Sequence, residues 1–407
     1  MTDASQRVPI GLAVSLGLIM VLGPASIDMY LPSMPEMAQQ FGTEFSAMQL
    51  TLTVFLLAMG AGQLLFGPVI DAFGRRWPLL IALVVYALTS AWAAMATSVE
   101  SLIFARFIQG LASSLAIVTA MSSVRDVTEG VIAAQLFALL MTIQGIGPVL
   151  APAFGGVVGS AWGWRAVFYV LAALGLLVLL NTIFRMRETL PVHKRSNLQL
   201  GTVLRTYVSI LSSAAFVLPA LSLSLVFFFL FFYIGGASYT YQANYGVTPR
   251  SFGLIFGATG IAVLLGAMGS AKLVARFKIE KLALLGVLGL LVGAVVSTVS
   301  AFTGVGLIGV AAGMFIALCG LGIGEATLMA IALATRNTAL GASAAILGAF
   351  PLLLGAAATP LAAIVAERGA VQWLLALVAI GIVASGLTWV SVRRVAKSGV
   401  QVHLQHG

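Results

Sequence analysis

Three charged residues stand well inside otherwise apolar stretches of this sequence: Asp28, Arg106 and Glu325. A charge held in such a run is costly and marks a functional position by default. Carboxylates exchange protons there when burial raises their pKa towards neutrality, which makes Asp28 the first candidate for proton coupling. Asp28 follows Gly23 and Pro24 and precedes Pro32, so its helix is expected to be kinked and locally hydrated. Two roles fit it: a proton carrier whose protonation competes with cargo, or an interfacial carboxylate at the outer end of a shorter helix. Tyr30, beside it, is a better candidate for a cavity residue than any one phenylalanine of the aromatic run at 227–241, whose consecutive rings must point to different faces.

Arg106 keeps its proton under working conditions. It can stabilise an ionised Asp28, donate to carbonyls of neighbouring helices, or snorkel to headgroups from a position near a membrane boundary. Gln109, Gly110 and Ser113 follow at helical spacing and give it one polar, small-sided face. Glu325 lies among Gly320, Gly322 and Gly324, where it can touch substrate, carry a second proton or satisfy a neighbour. Other chemistries lack their residues. The single cysteine, Cys319, excludes a disulfide framework, and His193, His403 and His406 form no ligand cluster. No phosphate-cradling Gly-Lys-Ser/Thr loop is present. No metal, cofactor or catalytic residue is expected, and a membrane-embedded enzyme or a channel finds no paired carboxylates or filter segment to work with.

The elements that must position these residues are membrane spans. Of 407 residues 60% are hydrophobic and 8% charged, against roughly 25% charged in soluble domains. The mean hydropathy of +1.09 requires lipid as the main solvent. With about 20 apolar residues needed per crossing, breaks in the sequence define spans at 10–38, 47–70, 78–97, 101–122, 132–158, 165–184, 209–235, 251–273, 282–302, 306–334, 341–366 and 371–391. The first run carries no cleavage site and is read as a span. The break at Thr303, Gly304 and Gly306 is the weakest of the set.

The net charge of +9 is spread through short loops and marks topology rather than a nucleic-acid surface. With the N-terminus inside, seventeen of the 21 Lys and Arg residues fall on the cytoplasmic side. Arg165, Arg250 and Arg368 fall outside, so both termini are expected in the cytoplasm. The expected fold is an all-α membrane protein of twelve transmembrane helices in two six-helix bundles: residues 1–185, a cytoplasmic central loop at 186–208, and 209–407 ending in a short cytoplasmic tail. The loop 71–76 and its counterpart 275–281 echo one another weakly, as expected of repeats that enclose a midplane site.

Four segments carry a resemblance to the major facilitator superfamily, in its twelve-span drug:proton antiporter branch. Gly67-Pro68-Val69-Ile70-Asp71-Ala72-Phe73-Gly74-Arg75-Arg76 resembles the loop motif between the second and third spans. Arg106-Phe107-Ile108-Gln109-Gly110 is similar to the fourth-span motif, and Gly147-Pro148-Val149-Leu150-Ala151-Pro152-Ala153-Phe154-Gly155-Gly156 to the fifth-span antiporter motif. Ser26-Ile27-Asp28-Met29-Tyr30-Leu31-Pro32, with Gln49–Thr53 and Arg125-Asp126, resembles the bicyclomycin and chloramphenicol resistance exporters. Ile70 stands where such exporters often carry a small polar residue, and Glu325 has no counterpart in the subfamily pattern.

The resemblance implies that Gly67, Asp71, Gly74, Arg75 and Arg76 form a gating loop, with Asp71 pairing to a nearby helix end when the cytoplasmic side is closed. It implies that Gly147, Pro148, Pro152, Gly155 and Gly156 shape a kinked helix that seals the outer half of the cavity. The implied activity is proton-coupled export of small drug-like molecules from a monomer in the bacterial inner membrane, with drugs, protons and lipid as its only partners. A proton-coupled importer of a metabolite on the same fold is the alternative.

Overall fold

The computed structural model describes residues 10–196, 200–336 and 338–397. Arg7, His403 and His406, used above to read topology and to set aside a ligand cluster, lie outside them. The described residues form helices without a strand: α1 (Ile10–Asp28), α2 (Met34–Gln40), α3 (Phe45–Phe73), α4 (Arg76–Ala94), α5 (Val99–Val127), α6 (Gly130–Trp162), α7 (Trp164–Arg185), α8 (Leu200–Leu211), α9 (Ala214–Tyr239), α10 (Pro249–Leu273), α11 (Ile279–Phe302), α12 (Leu307–Ala334), α13 (Leu340–Glu367) and α14 (Ala370–Lys397). Twelve of the resulting spans are long and apolar enough to cross a membrane, with α1 and α2 together making the first. The chain is a multi-pass membrane protein. The weak break at residues 303–306 is a true loop.

One expected boundary needs correction. The seventh span does not begin at 209: α8 is a separate amphipathic helix, the chain turns at Ser212 and Ser213, and the span starts at Ala214. It then runs past 235, because a π-helical turn over Thr240–Asn244 continues it to Asn244. The Tyr207 hydroxyl donates to the Leu64 carbonyl at 2.9 Å, which holds α8 against α3.

The first span breaks where its prolines remove donors. Helical bonding ends with the Met29 amide on the Ala25 carbonyl, and a single 3₁₀ turn, Leu31–Ser33, leads into α2. Asp28 is thus the last residue of α1, next to carbonyls that have no helical partner. Within the first half α3 packs on α5, α4 on α5 and α7, and α1 on α6. In the second half α11 packs on α12 and α14, α10 on α12, and α9 on α13. The halves meet along two seams, α3 on α13 and α6 on α10.

Small residues let these helices approach closely. A Cβ on Gly320 would run into the backbone of Gly286, Gly289 and Leu290, and one on Gly293 into that of Gly313 and Ala317, so α11 and α12 touch backbone to backbone. Overpacking a tight contact costs roughly 1–3 kcal/mol. Gly320→Leu should therefore lower the thermal unfolding midpoint of the detergent-solubilised protein, whereas Gly269→Ala, whose added Cβ meets open space, should leave it unchanged.

Candidate transport site

Arg106 lies near the start of α5 and is fully buried. It does not snorkel, and it forms no ion pair with Asp28, which corrects the first of its expected roles. Instead its Nη2 donates to the Ser26 carbonyl at 2.8 Å and its Nη1 to Gln109 Oε1 at 2.6 Å. Gln109 Nε2 donates to Ser90 Oγ at 2.7 Å, and Ser90 Oγ donates to the Tyr86 carbonyl at 2.7 Å. The Tyr86 hydroxyl lies 2.7 Å from Ser26 Oγ. The circuit closes on α1 and joins it to α4 and α5. Two aromatic rings pack on the guanidinium, Phe55 at 4.2 Å and Tyr30 at 4.6 Å from ring centroid to Cζ. A buried cation is here held by carbonyl dipoles and π faces, without a carboxylate.

Asp28 is 2% exposed, and its Oδ1 has no hydrogen-bond partner. It faces neither headgroups nor lipid. Tyr30 is fully buried, with its hydroxyl 3.3 Å from Thr51 Oγ1, so it packs on Arg106 rather than lining open space. Glu325 is not brought to this group. It sits nearer the other end of α12, partly exposed between the fully buried Leu321 and Leu328, and has no hydrogen bond or ion pair among the described residues. In the aromatic run Phe229, Phe231, Phe232, Tyr233 and Tyr241 are buried; Tyr233, for example, stacks on Phe256 and Trp373.

The ends of the bundle differ. At the end rich in Lys and Arg, here the basic end, Gly74 takes φ +90°, a conformation that favours glycine, and turns α3 into α4. Arg75 pairs with Asp71 at 2.6 Å and with Asp126 at 2.9 Å. Asp71 is half exposed and bound to its own loop, so its expected pairing with a neighbouring helix end is not made. Glu188 accepts from the Arg75 amide at 2.9 Å and the Arg76 amide at 3.3 Å, and so caps α4 from a segment far along the chain. Burial pushes the Glu188 carboxyl up. The Arg75, Leu190 and Arg76 amides and the Arg195 charge outweigh burial, and the group sits below the usual carboxylate range.

At the opposite end the halves are sealed to each other. Ser238 Oγ donates to the Leu31 carbonyl at 2.6 Å, Gln242 Nε2 to the Pro32 carbonyl at 2.9 Å, and Gln49 Nε2 to the Gly235 carbonyl at 2.7 Å. Thr53 and Thr359 hydroxyls lie 2.7 Å apart. The Gly/Pro-rich segment of α6 works in two directions. Added Cβ atoms on Gly147 and Gly155 would strike Pro24 and the Met29 carbonyl of the first span. Gly156 abuts the backbone of Pro249 and Arg250, and Gly253 and Gly260 of α10 abut the carbonyls of Pro152 and Pro148. A cleft of about 460 Å³ opens over this seal, lined by Glu36, Tyr239 and Gln242 among others, and Asp28 does not line it.

Sequence reasoning missed Tyr86, Ser90, Asp126 and Glu188 as working partners. The first two were marked by polar side chains one turn apart in an apolar span, and the last by its place in the acidic-basic stretch after α7.

Two outcomes follow from these networks. Arg106→Lys should lower the unfolding midpoint, because one ammonium cannot hold the Ser26 carbonyl, Gln109 and two ring faces together. Glu188, whose carboxyl is depressed in the folded state, stabilises fully above the ordinary carboxylate pKa of about 4.3. That contribution is lost as pH falls through the lower folded value. The midpoint difference between wild type and Glu188→Gln, followed by scanning fluorimetry, should stay constant from about pH 8 to 5 and close only below about pH 4.

Comparison with known proteins matches this architecture. The chain is 34% identical over 376 residues to the uncharacterized MFS-type transporter YdgK of Bacillus subtilis, covering 91% of this chain and 93% of that one. It is 31% identical over 318 residues to a chloramphenicol resistance protein of Pseudomonas aeruginosa, covering 77% and 73%. It is 28% identical over 267 residues to a bicyclomycin resistance protein homolog of Haemophilus influenzae, covering 66% and 67%. Among solved structures, a bacterial homologue of the human lysosomal transporter Spinster superposes with a TM-score of 0.77 at 17% identity, covering 97% and 99%. A D-xylose-proton symporter superposes at 0.74 and 17%, covering 94% and 98%. These structures are alike in fold. The family model of the Major Facilitator Superfamily matches residues 16–350, and the chain belongs to that superfamily.

Proposed function

We propose that this transporter is a proton-coupled antiporter that exports small drug-like molecules across the bacterial inner membrane by alternating access. The observation that carries the reading is Asp28: a carboxyl buried at a helix break, with one oxygen lacking any donor. An unpartnered buried charge is expensive, so loss of the charge on protonation and its return on release are tied to what surrounds the site. The kinship with bicyclomycin and chloramphenicol resistance proteins supports compounds of that kind as cargo.

The basic end is the cytoplasmic side in this reading, by the charge bias of the loops, and the sealed end faces outwards. Cargo enters from the cytoplasm or inner leaflet while Asp28 is ionised. A proton arriving from outside displaces it and leaves inside. One charge crossing about 100 mV supplies roughly 2.3 kcal/mol, enough for a gradient of roughly fifty-fold at about 1.4 kcal/mol per tenfold. The protein works as a monomer without cofactor, and Arg106 organises the site by fixing the break rather than by pairing with Asp28. Glu325, unpaired and partly open in the cytoplasmic half, is a second acid available to cargo or proton.

In inverted membrane vesicles carrying a preformed proton gradient, chloramphenicol should release protons through the wild-type protein and not through Asp28→Asn. Full drug-dependent exchange in that variant would show that the carboxyl does not couple transport.

A further inference from the structure

The seam between α3 and α13 joins two antiparallel helices, one from each half, and each ends in an acid. Asp71 lies in the last turn of α3, and Glu367 is the last residue of α13. Neither helix caps its own start. Glu44, at the α3 N-cap position, makes no side-chain cap bond, and Ala339, before α13, has no polar side chain to offer. The first amides of each helix are therefore open donors carrying the positive end of the helix dipole.

One of the two starts is filled here, and it is filled from the other half. The Ser46 amide, in the first turn of α3, donates to Glu367 Oε1 at 3.0 Å. Both groups are partly buried, and the bond lies on the same seam as the Thr53–Thr359 contact two turns deeper. Its chemistry is that of a carboxylate on a helix N-terminus, stronger than a neutral bond. No ion pair joins the halves among the described residues, so this is the charged contact that crosses between them at the sealed end. The groups around it are few: Glu44, which accepts from Ser46 Oγ at 3.3 Å, and the exposed Arg368 next in the chain. At the basic end the corresponding start of α13 receives nothing from Asp71, which stays with Arg75.

We infer that Glu367 is the latch of the outer gate: its carboxylate caps α3 across the seam and holds the outer ends of the two halves together while the basic end is unlatched. The inference rests on the alternating-access reading only for what happens at the other end when the latch opens. Removing the acceptor should shift the sealed state towards one open at that end. Keeping an acceptor of the same shape without its charge should shift it less.

The test uses the full chain in lipid nanodiscs with Cys319→Ser, spin-labelled in pairs that span the halves: exposed positions Glu100 and Thr303 at the sealed end, and Glu129 and Lys278 at the basic end. Glu367→Ala should lower the ratio of short to long distances between the sealed-end labels by roughly tenfold, a change of about 1.4 kcal/mol. Glu367→Gln, which still offers Oε1 to the Ser46 amide but without the charge, should give a smaller shift than Glu367→Ala. Sealed-end distances that stay put in Glu367→Ala would overturn the latch. Sealed-end opening with simultaneous shortening between the basic-end labels supports both latch and rocking. Opening without that shortening keeps the latch and overturns the alternating-access reading.

Discussion

Inside a bilayer every backbone carbonyl must find a donor within the protein, and the first span breaks that rule by its own composition. Pro32 and Pro35 remove the amides that residues 28 and 31 would otherwise bond. The Leu31 carbonyl keeps a bond from the Met34 amide, and side chains of other helices bind carbonyls along the bend. Arg106 takes the Ser26 carbonyl, Ser238 takes that of Leu31, and Gln242 takes that of Pro32. The donors come from α5 of the same half and from the seventh span of the other. A local defect in one helix thereby holds its own bundle together and attaches the second bundle to it.

The same break explains the separation of charge. Arg106 is held by the Ser26 carbonyl, an amide oxygen and aromatic faces, and makes no ion pair with Asp28 although the two lie on neighbouring helices. An ion pair between them would have fixed both groups in one state. Standing apart from the arginine, the acid keeps one oxygen without a donor. At the basic end the opposite choice is made: Arg75 is shared between two carboxylates, and Glu188 is saturated with amides, a set suited to rigidity.

Much of this was legible beforehand, for a physical reason. Twelve apolar runs, the loop after the second span and the kink around Asp28 are local features, and hydropathy or proline placement encodes them directly. Contacts between distant segments are not encoded that way. Glu188 reaches Arg75 across 113 positions and Glu367 reaches Ser46 across 321, and nothing in either neighbourhood names its partner. Most of the amphipathic helix α8 falls in the expected central loop and only its last residues join the following span, because its apolar side runs into the hydrophobic start of α9. For Arg106 the sequence offers both a counter-ion role and donation to neighbouring carbonyls, and only the path of the bent backbone decides for the Ser26 carbonyl.

Three of the side-chain bonds that close the sealed end finish on main-chain oxygens, those of Leu31, Pro32 and Gly235. Main-chain acceptors survive any substitution that leaves the local path of the chain intact. Replacing the Leu31 side chain therefore leaves in place the oxygen that Ser238 binds. Closure of the seam and the identity of the side chain are carried by different atoms of the same residue.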